Sequence, residues 1–168
     1  MAGDPATFNG DVTVVGTLFV RTGINIPDGS IPASKIPNGA GIDYTKLEHA
    51  YRSIYRQANG SAAIAETAVL TAIVGATATI LSFKAGCITP CVGADTISVD
   101  LRKNGATILT APISLTSGQA AYAQVAAAVA SAGLVAGDVL TVVITPNHTS
   151  GTLGQGVFAV LYSKEDAQ

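Results

Sequence analysis

The sequence predicts a mainly β protein: an antiparallel β-sandwich (jelly-roll-like) with an extended N-terminal arm and one short α-helix. Three observations support this prediction. Residues 96–102 alternate strictly, with Ile97, Val99 and Leu101 on one side and polar residues on the other, which is typical of a strand with one dry face. Asn104-Gly105 follows and favours a tight hairpin. Turn residues recur from residue 61 onward at the spacing of about 8–12 residues that is common in sandwiches.

The chain divides into three predicted parts. Residues 1–42 form the extended arm or stalk, residues 43–58 form the short helix, and residues 61–168 form the β-sandwich domain. Within the sandwich the pattern predicts about eight strands, at residues 68–71, 77–83, 96–102, 107–109, 111–115, 122–129, 139–145 and 156–163.

The arm is predicted from isoleucines that are separated by prolines. Proline cannot donate a ladder hydrogen bond, so this segment is not expected to be an internal strand of any sheet. An extended arm cannot bury its own apolar side chains and needs another surface, either its own sandwich or other chains. The isoleucines concerned are Ile24, Ile26, Ile31 and Ile36.

The helix is predicted from its two ends and from its apolar spacing. Thr45 and Glu48 fit a capping box, and Asn59-Gly60 fits a C-terminal cap. Apolar residues recur at spacings of three and four, which is the pattern of a heptad seam. This seam could pack on the chain's own sandwich, or copies could pack around a threefold axis. Its residues are Tyr44, Leu47, Tyr51 and Ile54.

The composition argues against several classes of partner. The net charge is −2 and no basic run occurs, so nucleic-acid binding has little support. No apolar stretch reaches the roughly 18 residues of a membrane helix, and no signal-peptide pattern is visible at the N-terminus. Charged residues are only 12% of the chain. So few charges suggest that part of the surface is covered by partner proteins.

Catalysis is not predicted, and neither is a cofactor or a metal. His49 and His148 are interpreted as surface histidines, and the carboxylates are scattered. Asp95 with Asp100 is only weak evidence for calcium. Cys87 and Cys91 are spaced Cys-x3-Cys; they are either two small residues in a loop or strand end, or a disulfide turned by the proline between them, with zinc the least favoured alternative.

Two pairs of segments carry a resemblance. GDVTVVGTLFV (10–20) and IPDGSIPASKI (26–36) resemble the slender trimeric segments of tailed-bacteriophage fibres and head fibres. TISVDLRKNGATILTAPISL (96–115) and LVAGDVLTVVIT (134–145) resemble the β-sandwich domains that end such fibres or decorate capsids as cement proteins. The resemblance implies a structural protein of the virion that forms homotrimers and has no catalytic residues.

The favoured hypothesis is therefore a homotrimer that decorates or stabilises a phage capsid, as a cement protein or short head fibre. Its expected partner is the major capsid protein, and its location is the capsid surface after synthesis in the host cytoplasm. The predicted trimer interface consists of Ile24, Ile26, Ile31, Ile36, Tyr44, Leu47, Tyr51 and Ile54. The alternative is the receptor-binding tip of a tail fibre that recognises a cell-surface glycan, for which exposed aromatic residues would be the sign. A third hypothesis is a non-viral adhesion or matrix protein.

Overall fold

The computed structural model describes residues 49–73 and 77–165, which belong to the second of the two units into which the chain divides, Met1–Gly41 and Ile42–Gln168. These residues form strands and no helix. The strands are β1 (His49–Arg56), β2 (Glu66–Ala72), β3 (Ala78–Thr89), β4 (Val92–Gly93), β5 (Thr96–Lys103), β6 (Ala106–Thr107), β7 (Ile113–Leu115), β8 (Val125–Ala127), β9 (Gly133–Leu134), β10 (Val139–Asn147), β11 (Gly151–Thr152) and β12 (Gln155–Glu165).

The strands form two five-stranded antiparallel sheets. Sheet A has the order β1-β12-β3-β8, with β9 also pairing with β3. Sheet B has the order β2-β10-β5-β6, with β7 also pairing with β5. Strands β4 and β11 form a separate two-stranded ladder. The prediction of a mainly β, antiparallel protein is thus confirmed.

Both sheets contribute side chains to one apolar core. The predicted alternation of β5 holds, because Ile97, Val99 and Leu101 are fully buried. On β12 of sheet A, Val157 and Leu161 are equally buried. Each such side chain contributes roughly 1.5–3 kcal/mol to the folded state. Since one cluster draws on both sheets, the arrangement is sandwich-like.

The predicted hairpin at Asn104-Gly105 is confirmed. Asn104 has φ 51° and Gly105 has φ 88°, the positive values that a type I′ turn requires. The turn joins β5 to β6, pairing Lys103 with Ala106. The return strand, Ala106–Thr107, is shorter than predicted. Ile108, the next residue, is buried in the core, and its amide still donates to the Leu101 carbonyl at 3.0 Å.

The predicted helix at 43–58 is wrong for the residues that the structure describes. Residues 49–56 are β1, paired antiparallel with β12 along its whole length. Asn59-Gly60 does not cap a helix; with Gly60 at φ 89°, it forms a turn on the way to β2. The local cap signals are outweighed by a complete ladder with β12, which no local pattern reveals. Residues 43–48 lie outside the described residues.

A polar cluster ties β1 of sheet A to β2 of sheet B. The Tyr55 hydroxyl donates a hydrogen bond to Glu66 Oε2. Gln57 Nε2 donates to the Ile64 carbonyl at 2.8 Å and to Glu66 Oε2 at 3.2 Å. Burial, and then the bond to Glu66, raise the pKa of Tyr55 to about 12. The two strands at this side of the molecule are therefore held together by side chains.

Candidate functional site

The predicted interface residues are only partly described. Ile24, Ile26, Ile31, Ile36, Tyr44 and Leu47 lie outside the described residues. Tyr51 and Ile54 both lie on β1, but they do not form one seam. Tyr51 pairs with Ser163, which is buried, whereas Ile54 pairs with Val160 on the opposite face. A helix would have placed them together, and a strand separates them because its side chains alternate.

The face of sheet A that points away from the core is built from three adjacent strands. We call it the outer face. Because paired residues share a face, the ladders of β1 with β12 and of β12 with β3 fix its members. They are Arg52, Ile54 and Arg56 of β1, Phe158, Val160 and Tyr162 of β12, and Ser82 and Lys84 of β3.

Two large apolar side chains of this outer face are solvent-exposed. Ile54 is 61% exposed and Tyr162 is 40% exposed. They adjoin a shallow depression of about 480 Å³, which we call the sheet depression. Its lining combines apolar, aromatic, cationic and neutral polar groups: Arg52, Ile54, Ser82, Lys84, Gln124, Val160 and Tyr162.

The charge of the sheet depression is uniformly positive. Arg52 and Lys84 supply two cations, and neither has a carboxylate partner within residues 49–73 and 77–165. Most carboxylates of the described ranges are engaged elsewhere in hydrogen bonds or ion pairs. These are Glu66 with Tyr55, Asp95 with His148, Asp100 with Arg102 and Asp138 with Asn104.

A close approach at Gly86 shapes the neighbouring part of the outer face. A Cβ at Gly86 would lie 2.7 Å from Phe158 Cζ and would also overlap the Ala123 carbonyl oxygen. The Tyr122 amide donates to the Cys87 carbonyl at 2.9 Å, which anchors the segment entering β8 against β3. Glycine is therefore required at 86 for this segment to run close to β3 and bring Gln124 to the depression.

The outer face of sheet B has a different character. Its central strands present hydroxyl and aliphatic side chains, among them Ser98, Thr141 and Val143. Its charges are paired internally, because Arg102 Nε lies 2.9 Å from Asp100 Oδ2 and Thr107 donates to Asp100 Oδ1 at 2.6 Å. Unpaired cations beside exposed apolar groups are thus a property of the outer face of sheet A.

One side of the domain presents two long strand edges, those of β1 and β2. We call it the β1/β2 flank. Among the described residues no strand pairs with the second edge of either one. The opposite side ends in the short strands β6 to β9, and there Leu109 and Val129 form a bridge. Long open edges are the positions where sheets add further strands, so the β1/β2 flank is a candidate assembly surface.

The side chains of Asp95 and His148 are in hydrogen-bond contact at the loop that follows β10. Asp95 is fully buried and accepts hydrogen bonds from the Thr149 amide at 2.8 Å and the Ser150 amide at 3.0 Å, while His148 Nδ1 lies 2.5 Å away. Desolvation alone would raise the pKa of Asp95, but these three partners outweigh it and hold the pKa below its usual range. This arrangement fixes the loop, and the surface histidine expected at 148 is exposed but paired.

The two cysteines are buried free thiols. Cys91 Sγ accepts a hydrogen bond from the Gly154 amide at 3.3 Å. Burial, and next the neighbouring Cys91, raise the pKa of Cys87 to about 11. The disulfide considered from the sequence is therefore not formed in this structure, and Cys87 is a poor nucleophile because its thiolate is disfavoured.

Residues 49–73 and 77–165 offer neither a metal cluster nor a membrane-spanning helix. No group of three or more His, Cys, Asp or Glu side chains there could hold a metal ion. No helix in those ranges is long and apolar enough to cross a membrane.

Comparison with known proteins adds no relative. No protein-family model matches the chain, and no curated protein shows significant similarity to it.

Proposed function

We propose that this chain is a structural protein of a virion that assembles as a homotrimer and decorates or stabilises a phage capsid. In this proposal the described domain is a jelly-roll-like sandwich, and the N-terminal arm binds the major capsid protein. The proposed trimer interface combines Ile54 and Tyr51 with the arm and seam residues predicted from the sequence.

The observation that carries the proposal is the open β1/β2 flank. Proteins that act alone usually protect long edge strands with prolines, bulges or covering loops. Here His49–Arg56 and Glu66–Ala72 contain no proline, β1 is paired without a bulge, and Val69 on β2 is 69% exposed. One bulge interrupts β2, between Val69 and Thr71. A closed ring of three copies would cover such edges and leave none to propagate.

The low charge of the chain supports the same proposal. Permanent interfaces are more apolar than ordinary surface and commonly bury more than about 2,000 Å². A chain with 12% charged residues provides such surface readily. Function of this kind depends on buried area rather than on a convergent set of reactive groups.

Sedimentation velocity of the full-length chain tests the assembly. We expect a trimer for the wild type and a monomer for the double variant Ile54→Asp with Val69→Asp, because two carboxylates would then be buried at the flank. Val92→Asp and Val135→Asp are matched controls, since both valines are exposed away from the flank, and these variants should remain trimeric. A monomeric wild type at micromolar concentration would contradict the proposal.

Binding to capsids is tested separately. A chain lacking residues 1–42 keeps β1 and should fold, but we expect it not to co-sediment with virus particles that lack this protein. Full-length chain should co-sediment and should raise the temperature at which the particles rupture. Undiminished binding of the truncated chain would show that the arm has no part in attachment.

A further inference from the structure

We propose that the sheet depression is a binding site for a carboxylated saccharide, such as a chain that contains uronic acids. Tyr162 would stack on a sugar ring, while Arg52 and Lys84 would each bind one carboxylate. This function goes beyond assembly and uses the outer face of sheet A, which shares strand β1 with the β1/β2 flank.

The ladders arrange the key side chains in two rows across the sheet. Arg52, Tyr162 and Ser82 form the first row, because Tyr162 pairs with Arg52 on one side and with Ser82 on the other. Lys84 belongs to the next row, two residues further along β3. Since strands lie about 4.8 Å apart and rise about 3.4 Å per residue, Arg52 and Lys84 are separated by roughly 10 Å across the sheet and 7 Å along it.

Tyr162 provides the stacking surface. It lies between two neighbours in its row and is 40% exposed, so its ring is held by the sheet yet open to solvent. An aromatic ring with a hydroxyl handle combines apolar contact with a hydrogen bond. Val160 extends the apolar floor beside it. Such a surface suits the C–H face of a sugar, whose hydroxyl groups point to the rim.

The rim of the depression carries the matching polar groups. The Gln124 amide can both donate and accept, and the Ser82 hydroxyl can do the same, so both can hydrogen-bond to sugar hydroxyl groups. Ser82 lies on β3, and Gln124 lies just before β8. A few well-placed polar groups around an apolar floor are usual for small-ligand sites.

The charge of the site selects an anion. Arg52 and Lys84 have no carboxylate partner in the described part of the chain, so their positive potential is not cancelled locally. The planar guanidinium of Arg52 matches a carboxylate in a bidentate geometry. The two cations are spread over two strands, which fits carboxylates spaced along a sugar chain better than a compact phosphate that gathers several donors at one point.

The size of the depression favours a saccharide over an acidic protein surface. Its volume of about 480 Å³ falls within the range of small-ligand sites. A stable protein–protein interface would need about 800 Å² from each partner, and the cations are confined to a small part of the outer face. In the sequence, exposed aromatic residues were the only expected sign of glycan recognition. The structure shows that one aromatic residue, Tyr162, is exposed and lies beside Arg52 and Ser82.

The test uses the full-length protein and calorimetric titration with three oligosaccharides that each carry at least two carboxylates: tri-galacturonate, a tetrasaccharide with two glucuronates and disialyllactose. We expect at least one to bind at low-millimolar concentration or better, and its neutral methyl ester to bind at least about tenfold more weakly. Binding should weaken as salt is added, because the attraction is between exposed charges.

Variants then locate the site. Arg52→Gln and Lys84→Gln should each raise the Kd about tenfold, and Tyr162→Leu should do so while Tyr162→Phe stays close to the wild type. Arg102→Gln on sheet B removes the same charge elsewhere and should leave the Kd within about twofold. The four variants of Arg52, Lys84 and Tyr162 should keep the wild-type melting profile, since these side chains are at least partly exposed. Arg102→Gln should melt lower, because it removes the ion-pair partner of the buried Asp100, and its Kd is measured well below its melting temperature.

Several outcomes would overturn the proposal. They are no binding of any of the three acidic oligosaccharides, equal binding of the acid and its methyl ester, an equal loss of affinity in Arg102→Gln, or tighter binding of a phosphorylated sugar or an acidic peptide than of every carboxylated saccharide.

Discussion

Asn104 Nδ2 donates a hydrogen bond to Asp138 Oδ1 at 2.7 Å, joining the β5–β6 hairpin turn to the turn that precedes β10. The same side chain accepts the Val139 amide through Oδ1 at 2.9 Å. Asp138 in turn accepts the Val135 amide at 2.9 Å and lies 3.7 Å from Lys103 Nζ. The Val135 amide is the largest influence on the pKa of Asp138, and with Asn104 and Lys103 it holds that pKa below the usual range despite desolvation.

Asn104→Ala should destabilise the domain by about 1–3 kcal/mol, because it removes two hydrogen bonds and places alanine at a positive φ. The measurement is the free energy of unfolding by urea. Asn104→Gly accepts the positive φ but lacks the side chain. Its loss of stability should therefore come from the two hydrogen bonds alone. Asn147→Ala is the control, because Asn147 is exposed at the end of β10. Equal stability of Asn104→Ala and Asn147→Ala would contradict the role given to Asn104.

Gly86→Ala should cost about 1–3 kcal/mol of stability, as expected when a methyl group is forced into a packed site. Its Cβ meets Phe158 and the Ala123 carbonyl, and backbone cannot move aside as a flexible side chain can. Gly133→Ala is the matched control, since a Cβ added at Gly133 would meet nothing within 4 Å. Thermal unfolding of both variants decides the point, and a Gly86→Ala variant as stable as the control would refute it.

Tyr55→Phe should remove a contribution to stability that depends on pH. The pKa of Tyr55 is raised to about 12 in the folded protein, against about 10 in the unfolded chain, so the contribution is complete below pH 10 and is lost as the pH rises towards 12. We expect the free energy of unfolding of Tyr55→Phe to be about 1 kcal/mol below that of the wild type at pH 8, and this difference should be smaller at pH 11. Urea unfolding at the two pH values measures it, with Tyr122→Phe as the exposed control. A difference that does not change with pH would be contrary evidence.

Asp95→Asn should destabilise the protein at neutral pH and less so in acid. The pKa of Asp95 is lowered in the folded state, so its contribution is present above the unfolded pKa of about 4 and disappears as the pH falls through the folded value. His148→Asn should have a smaller effect, because the Thr149 and Ser150 amides still bind the carboxylate. Unfolding midpoints from pH 7 to pH 3 test this. If the difference in midpoint between the wild type and Asp95→Asn increased as the pH fell, the prediction would be wrong.

The sequence predicted most strands of the domain because they are defined locally. The alternation of 96–102 and the turn at Asn104-Gly105 need no knowledge of the rest of the chain. The strand predicted at 111–115 is β7, which is shorter because it begins directly after Pro112. β10 continues two residues past the predicted end, and it includes Pro146 where only β5 pairs with it.

The helix prediction failed where a local pattern competed with a distant partner. In the structure Arg52, Ile54 and Arg56 lie on one side of β1, but the sequence of this segment does not alternate between apolar and polar residues, and the cap signals at both ends favoured a helix. The ladder with β12 decides the conformation, and its residues lie at the far end of the chain. A short apolar run is ambiguous between helix and strand when taken alone.

The candidate site was invisible in the sequence for a related reason. The alternate spacing of Phe158, Val160 and Tyr162 predicts that they share one face of a strand, and the register confirms it. Which face is buried depends on the opposite set, Val157, Ala159 and Leu161, and only the structure assigns those three to the core. The approach of Arg52 to Tyr162 and of Lys84 to Val160 follows from strand order, which no spacing in the sequence encodes.

The burial of Cys87 provides a natural reporter of strand separation. Its thiol sits on β3 opposite Val157 of β12, within the longest ladder of the described domain, and only 6% of the residue is exposed. A thiol reagent can reach it only after these two strands part. The labelling rate of an otherwise unmodified chain, with Cys91→Ala to isolate the signal, therefore measures how often this part of sheet A opens under native conditions.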